Sequence, residues 1–483
     1  MHYRMIFYVL GVFVCGFGAL MSIPAFVALF FQEGMAAKIF LEVSFATMVS
    51  GGAAIIMMRG TSKAMNHKDA FLLTFLTWSI LSVIGSLPLY FTGAAPTFVD
   101  GLFESVAGIT TTGASVLSGL DQMDHGVLLW RSMLQWIGGM GIIVLAVAVL
   151  PFLGIGGMQL YRSEMPGVTK DKLQPRIKET AKLLWIVYLV LTILCAAAYS
   201  VAGMHTFDAV AHAFTTVATG GFSTHDASLG YYNSLAIEMV AVLFMFLGAV
   251  NFSLHYMFLT TSGRVVYARD AEFKMFVVLV AGAVIVLSLM LTLLDVYELT
   301  ESIRYSLFNV MAVITTTGYA TADYNAWPVL APMTMLVLMF WGGCSGSTSG
   351  GMKILRIMMI VKQSQTELMR LLHPSGVVRA KIGNRTISSD VMQAVWAFAG
   401  LYLVTFIIIS IIMAAFGLDL ETAFSAAGAT LTGLGPGLGE VGPASNYAGL
   451  PQAAKVVLCF SMLLGRLELL TLLVLLMPAF WRK

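Results

Sequence analysis

Apolar residues run in long blocks along this chain, not in the short alternations of a soluble fold. Such blocks fall near residues 4–31, 38–58, 69–92, 127–152, 180–203, 234–262, 273–294, 391–416 and 453–478, with one more, interrupted, at 328–341 and 354–361. A helix of about 20 apolar residues crosses a ~30 Å hydrocarbon core, so the pattern predicts ten crossings. Shorter, moderately apolar stretches lie between alternate crossings. They end in Thr110-Thr111-Thr112-Gly113-Ala114-Ser115, Thr215-Thr216-Val217-Ala218-Thr219-Gly220-Gly221-Phe222-Ser223, Thr315-Thr316-Thr317-Gly318-Tyr319 and Ala429-Thr430-Leu431-Thr432-Gly433-Leu434-Gly435. Too short to span, these segments must dip into the membrane and return to the same side. Irregular backbone at that depth needs a protein or water-filled surround.

Gly113, Gly220, Gly318 and Gly433 recur about every 100 residues, the length of two membrane helices and a loop, which marks an internal repeat. An acid precedes each: Asp100, Asp208, Glu301 and Glu421. It is placed either to cap the short helix or to draw cations toward its mouth. The predicted fold is an all-α polytopic membrane protein with four helix–pore-loop–helix repeats around one pore, preceded by an extra helix pair. The expected divisions are 1–62 for that pair and 63–165, 166–268, 269–385 and 386–483 for the repeats. Four Thr-Gly turns meeting on an axis can present carbonyl and hydroxyl oxygens in place of an ion's hydration shell. The candidate cation ligands are Thr111, Thr112, Gly113, Thr219, Gly220, Thr316, Thr317, Gly318, Thr432 and Gly433. Oxygen donors suit hard monovalent cations.

Composition agrees: 58% of the 483 residues are hydrophobic and 11% charged, against about 25% charged in soluble domains. A net charge of +2 gives no case for nucleic-acid binding. Of the 27 basic residues, 22 fall in alternate connections and at the two ends, which predicts cytoplasmic termini. Cys15, Cys195, Cys344 and Cys459 lack metal or redox spacing. The first apolar segment reads as an uncleaved helix, not a signal peptide.

The motifs Thr110–Ser115, Thr219-Gly220-Gly221-Phe222-Ser223-Thr224-His225, Gly342–Lys353, Leu434-Gly435-Pro436-Gly437-Leu438-Gly439 and Gly465-Arg466-Leu467-Glu468 resemble those of the Trk/Ktr/HKT potassium transporter superfamily. The chain is most similar to its TrkH-type membrane subunit, over essentially its whole length. The resemblance implies potassium uptake across the bacterial cytoplasmic membrane, K+ in the filter with no covalently bound cofactor, a homodimer with one pore per subunit, and lipid as surround. It also implies a separate cytosolic nucleotide-binding regulator of the TrkA type, since this chain has no dinucleotide fingerprint. TrkH-type proteins often carry Asn in the fourth repeat where this chain has Thr432-Gly433. The Gly makes all four repeats alike, as in Ktr-type relatives, and bears on selectivity for potassium over sodium.

The interrupted crossing breaks at Gly342–Gly351, a run of Gly, Ser, Thr and Cys. The resemblance implies an intramembrane gate there, with Gly342, Gly343, Ser345, Gly346, Ser347, Gly350 and Gly351 as gating residues; the plainer reading is a static kink. Gly346–Gly351 imitates a phosphate loop, but Met352 stands where Lys is required. Gly343-Cys344-Ser345-Gly346 imitates an intramembrane serine protease, but the only later His is His373, in a basic loop. Arg466, expected near the middle of the last helix, is read as facing the pore below the filter, with a structural salt bridge as the alternative. Glu468 is a poor partner for it at i+2. Arg131 is expected to snorkel, and His212 and His225 to serve packing. Trp130, Trp136, Trp327, Trp396 and Trp481 suit interfacial anchoring. The basic stretch Lys362–Arg385 suits the regulator or anionic headgroups. A proton- or sodium-coupled potassium symporter is the competing function; its deep titratable candidates are few, Arg466 and Glu468.

Overall fold

A helix occupies each of the ten apolar stretches in the computed structural model, which describes residues 1–60, 66–148, 173–260, 265–374, 379–383 and 385–482. The expected divisions at 62/63 and 165/166, together with Lys63, Arg162, Lys170, Lys172 and Arg264, lie outside the described residues. Helices α1 (Tyr3–Phe30) and α2 (Gly34–Met57) form the leading pair. They pack closely enough for the Ser44 hydroxyl to donate to the Gly18 carbonyl at 2.7 Å. Small residues and such cross-helix bonds replace the hydrophobic drive that lipid removes.

The first repeat comprises α3 (His67–Phe91), the pore helix α4 (Phe98–Ile109) and α5 (His125–Ala148). The second is α6 (Leu173–Val201), pore helix α7 (Thr206–Val217), α8 (Leu235–Ala249) and α9 (Phe252–Thr260). A short α10 (Val265–Arg269) leads to the third: α11 (Ala271–Leu293), pore helix α12 (Leu299–Ile314), α13 (Leu330–Trp341) and α14 (Ile354–Leu372). A two-stranded hairpin, Lys381–Ile382 against Arg385–Thr386, precedes α15 (Ser389–Ala415), pore helix α16 (Leu420–Thr432), α17 (Gln452–Arg466), α18 (Leu469–Leu476) and α19 (Pro478–Trp481). The divisions expected at 268/269 and 385/386 therefore fall inside α10 and inside the second strand. The chain is an all-α multi-span membrane protein with pore-loop repeats.

Two expected crossings are not continuous. Residues 234–262 break between α8 and α9 with a 96° bend, and 453–478 break between α17 and α18 with a 115° bend. With the predicted break between α13 and α14, repeats 2, 3 and 4 interrupt their second helix among the described residues. Hydropathy averaged over a crossing does not see these breaks, because Asn251 at the first and Arg466 and Glu468 at the second are few polar residues within long apolar runs. Freed backbone groups find partners across the repeats: Phe252 N–H donates to Gly346 O at 3.1 Å and Cys344 N–H to Ala249 O at 2.9 Å.

The four acids sit in the first turns of their pore helices. Asp100 also receives Lys455 Nζ at 2.6 Å, which joins α4 to α17 across repeats 1 and 4. Arg131 does not snorkel: it is 1% exposed. Its Nη2 lies 2.8 Å from the Glu104 carboxylate and its guanidinium 4.3 Å from the Phe222 ring centroid. Glu104 in turn accepts the Val116 N–H at 2.9 Å and the Ser115 hydroxyl at 3.0 Å. Arg131→Ala leaves that buried carboxylate unpaired, which costs about 3–5 kcal/mol. The expected result is a clear fall in the thermal unfolding temperature of the detergent-purified protein.

Candidate ion pathway

Each pore helix ends in the same way. The N–H groups of Thr112, Gly220, Thr317 and Leu434 donate to the carbonyls of Ala107, Thr215, Ala312 and Ala429 at 2.8, 2.8, 2.8 and 2.9 Å. This six-to-one bond defines a helix C-terminus closed by one left-handed residue. That residue is Thr111 (φ 54°), Thr219 (φ 51°), Thr316 (φ 55°) or Gly433 (φ 76°). Two residues on, a glycine is again left-handed: Gly113 (φ 78°), Gly221 (φ 82°), Gly318 (φ 80°) and Gly435 (φ 93°).

The register of the repeat is thereby corrected in two places. The structural counterparts of Gly113 and Gly318 are Gly221 and Gly435, not Gly220 and Gly433. Gly433 is the helix cap, where the other repeats place a threonine at a conformation costly for a β-branched residue. Pairing each turn by its first glycine misleads because Gly220 and Gly433 each stand ahead of the glycine that matters.

The glycines show how the turns meet. A Cβ on Gly113 would collide with the Gly220 carbonyl oxygen, one on Gly221 with that of Thr317, one on Gly318 with that of Leu434, and one on Gly435 with that of Thr112. Repeat 1 abuts 2, 2 abuts 3, 3 abuts 4, and 4 returns to 1. The four turns therefore form a closed ring about one axis. Gln135, which the sequence did not single out, braces it: its Nε2 donates to Gly220 O at 2.7 Å and its Oε1 accepts the Phe222 N–H at 3.1 Å. Thr112 and Thr317 hydroxyls bond back to Thr110 and Thr315 at 2.8 and 2.7 Å.

Directly beneath the ring lies the loop between α13 and α14. Gly350 N–H donates to Thr316 Oγ1 at 2.6 Å and Gly351 N–H to Thr432 O at 2.8 Å. The Thr219 hydroxyl donates to Thr348 Oγ1 at 3.1 Å. The loop thus contacts the helix caps of repeats 2, 3 and 4. Its small residues are needed there: a Cβ on Gly350 would collide with Thr432 O, and Gly342 and Gly351 are left-handed and pressed together. Gly342, Gly343 and Ser347 are buried, Ser345 and Gly350 partly so, and Gly346 is exposed.

Arg466 ends α17 at the break. It lines a cavity of about 80 Å³ with Thr110, Thr112, Gly433 and the loop residues Gly346, Ser347, Ser349, Gly350 and Gly351. Its Nη1 donates to Thr348 O at 2.8 Å, and it has no carboxylate partner among the described residues. Glu468 pairs instead with Arg356, at 2.6 Å.

On the outer side, His212 is buried between Asp208 O and Ser223 Oγ, a packing role. His225 lies 2.5 Å from Asp121 and 3.6 Å from Asp208. Partial burial pulls its imidazole down, but the two carboxylates outweigh that and hold its pKa above the usual histidine value.

The family profile of TrkH, a cation transport protein, matches residues 36–483. The chain belongs to the TrkH family. Among TrkH relatives, the Trk system potassium uptake protein TrkH of Halomonas elongata is 46% identical over all of both chains, and that of Escherichia coli K12 is 44% identical, again over all of both. The crystal structure of the potassium transporter TrkH from Vibrio parahaemolyticus superposes with a TM-score of 0.93 at 41% identity, covering all of each chain. TrkH proteins are transporters, so this chain is a transport protein and not an enzyme. The protease-like Gly343–Gly346 string is part of the loop under the ring.

Proposed function

We propose that this protein takes up potassium across the bacterial cytoplasmic membrane through a channel-like pathway, with both termini in the cytoplasm. The observation that carries the proposal is the closed ring of four pore-loop turns. Cations enter from outside, lose part of their water at oxygens of Thr111–Gly113, Thr219–Gly221, Thr316–Gly318 and Thr432–Gly435, and leave past residues 342–351 and Arg466. The loop acts as the gate, and its bonds to three helix caps correspond to the closed position. The names of the full-length relatives supply the choice of potassium. The working unit is taken as a homodimer controlled by a nucleotide-binding cytosolic subunit of the TrkA type.

Ion flux through the purified protein in liposomes tests this. Potassium flux above sodium flux, with a reversal potential that follows the potassium gradient alone, is the expected result. A reversal potential that moves with an imposed proton or sodium gradient would establish the coupled symporter instead. Equal flux of both ions would remove the selectivity claim.

A further inference from the structure

Glu272 stands in the first turn of α11, two residues after the N-cap Asp270, and is buried. Its oxygen Oε1 accepts two backbone N–H groups, from Ser345 at 2.7 Å and from Leu355 at 3.1 Å. These residues lie at opposite ends of the break between α13 and α14. Helix α14 has no cap of its own, because its N-cap position is Lys353 and makes no side-chain cap bond. Its first N–H groups need an acceptor, and its positive end favours a carboxylate. A carboxylate from another helix supplies both and reaches across to hold the far side of the loop with the same atom.

The loop's other bonds differ in kind. Thr348, Gly350 and Gly351 bond to the caps of the ring and must part if the loop swings aside. Glu272 belongs to α11, which also packs on α14. We propose that Glu272 is a positioning residue that latches the loop beneath the ring, and that moving the start of α11 away from α14 frees both ends of the loop together. This rests on the reading of residues 342–351 as the gate.

A graded series of side chains tests the latch. Glu272→Gln keeps a carbonyl oxygen able to accept both N–H groups, Glu272→Asp falls one methylene short of holding both, and Glu272→Ala accepts neither. Charge-assisted bonds are about twice as strong as neutral ones. Single-channel recording of the full-length protein in planar bilayers in KCl, beside thermal unfolding of each variant, gives the readout. Glu272→Ala is expected to raise open probability by about tenfold or more, Glu272→Asp by less, and Glu272→Gln to stay within about threefold of the parent. Unitary conductance and the potassium-to-sodium ratio stay unchanged throughout, which a damaged filter would not allow. Where Glu272→Ala yields no folded protein, Glu272→Asp decides. Parental open probability in both would overturn the latch. Deletion of residues 345–350 separates the two readings: raised flux there with an inert Glu272 series refutes the latch alone, whereas unchanged flux in the folded deletion refutes the gate and the latch with it.

Discussion

Gly435→Ala reduces potassium flux by about tenfold or more, while Gly433→Asn costs at most a few-fold. The contrast follows from the ring. An alanine Cβ at 435 lies 2.5 Å from Thr112 O and 2.7 Å from Gly113 C, both backbone atoms of repeat 1. Neither can rotate away, so the collision displaces the neighbouring turn and opens the ring at the joint between repeats 4 and 1. The φ of 93° adds strain for any residue with a Cβ. At 433 the nearest atom to a new Cβ is Thr112 Oγ1, at 4.0 Å. Three threonines already occupy the corresponding conformation in the other repeats, and Asn tolerates it better than they do. Liposome flux and growth of a potassium-uptake-deficient host on low potassium measure both variants. Equal sensitivity at the two positions would contradict the structural register. Gly221→Ala should behave as Gly435→Ala, because its Cβ meets the Thr317 carbonyl in the same way.

Arg466→Ala raises potassium flux by about tenfold or more. The guanidinium lines the cavity directly below the ring and has no carboxylate partner among the described residues, since Glu468 on the same cavity pairs with Arg356. Two unit charges about 4 Å apart at an effective dielectric of about 20 repel by roughly 4 kcal/mol, so on the proposed pathway a cation leaving the ring would meet a barrier fixed in the wall. The same guanidinium ties α17 to the loop through Thr348 O. On the proposed pathway its removal both lowers the barrier and loosens the loop. Arg466→Lys keeps the charge but not the planar fork, so it separates the two effects: flux stays low if charge dominates and rises if the bond to Thr348 does. Loss of folded protein in Arg466→Ala, with no rise in flux, would make the residue structural.

The buried polar residues divide by how visible they were. Four acids, each about twelve to seventeen residues before a Thr-Gly turn, are a repeat signal, and they do stand in the first turns of the four pore helices. Arg131 is legible as a charge in an apolar segment, where snorkelling accounts for it; only the fold brings Glu104 and Ser223 to it. Glu272 follows Asp270 at a helix start and reads as an ordinary first-turn acid; nothing local reveals that its partners are 73 and 83 residues away. Gln135 carries no pattern at all, since one amide on a long apolar helix looks the same whether it braces a turn or fills a groove.

The sequence by itself determined the membrane class, the ten apolar segments, the fourfold repeat and the small-residue break at 342–351. These depend on transfer free energy and on local backbone preference, which are written along the chain. Only the tertiary structure decided which glycine of each turn enters the ring, where α8 and α17 end, and what meets Arg466. Those outcomes depend on backbone atoms from different repeats approaching within van der Waals distance, and no local preference encodes which carbonyl a glycine will face.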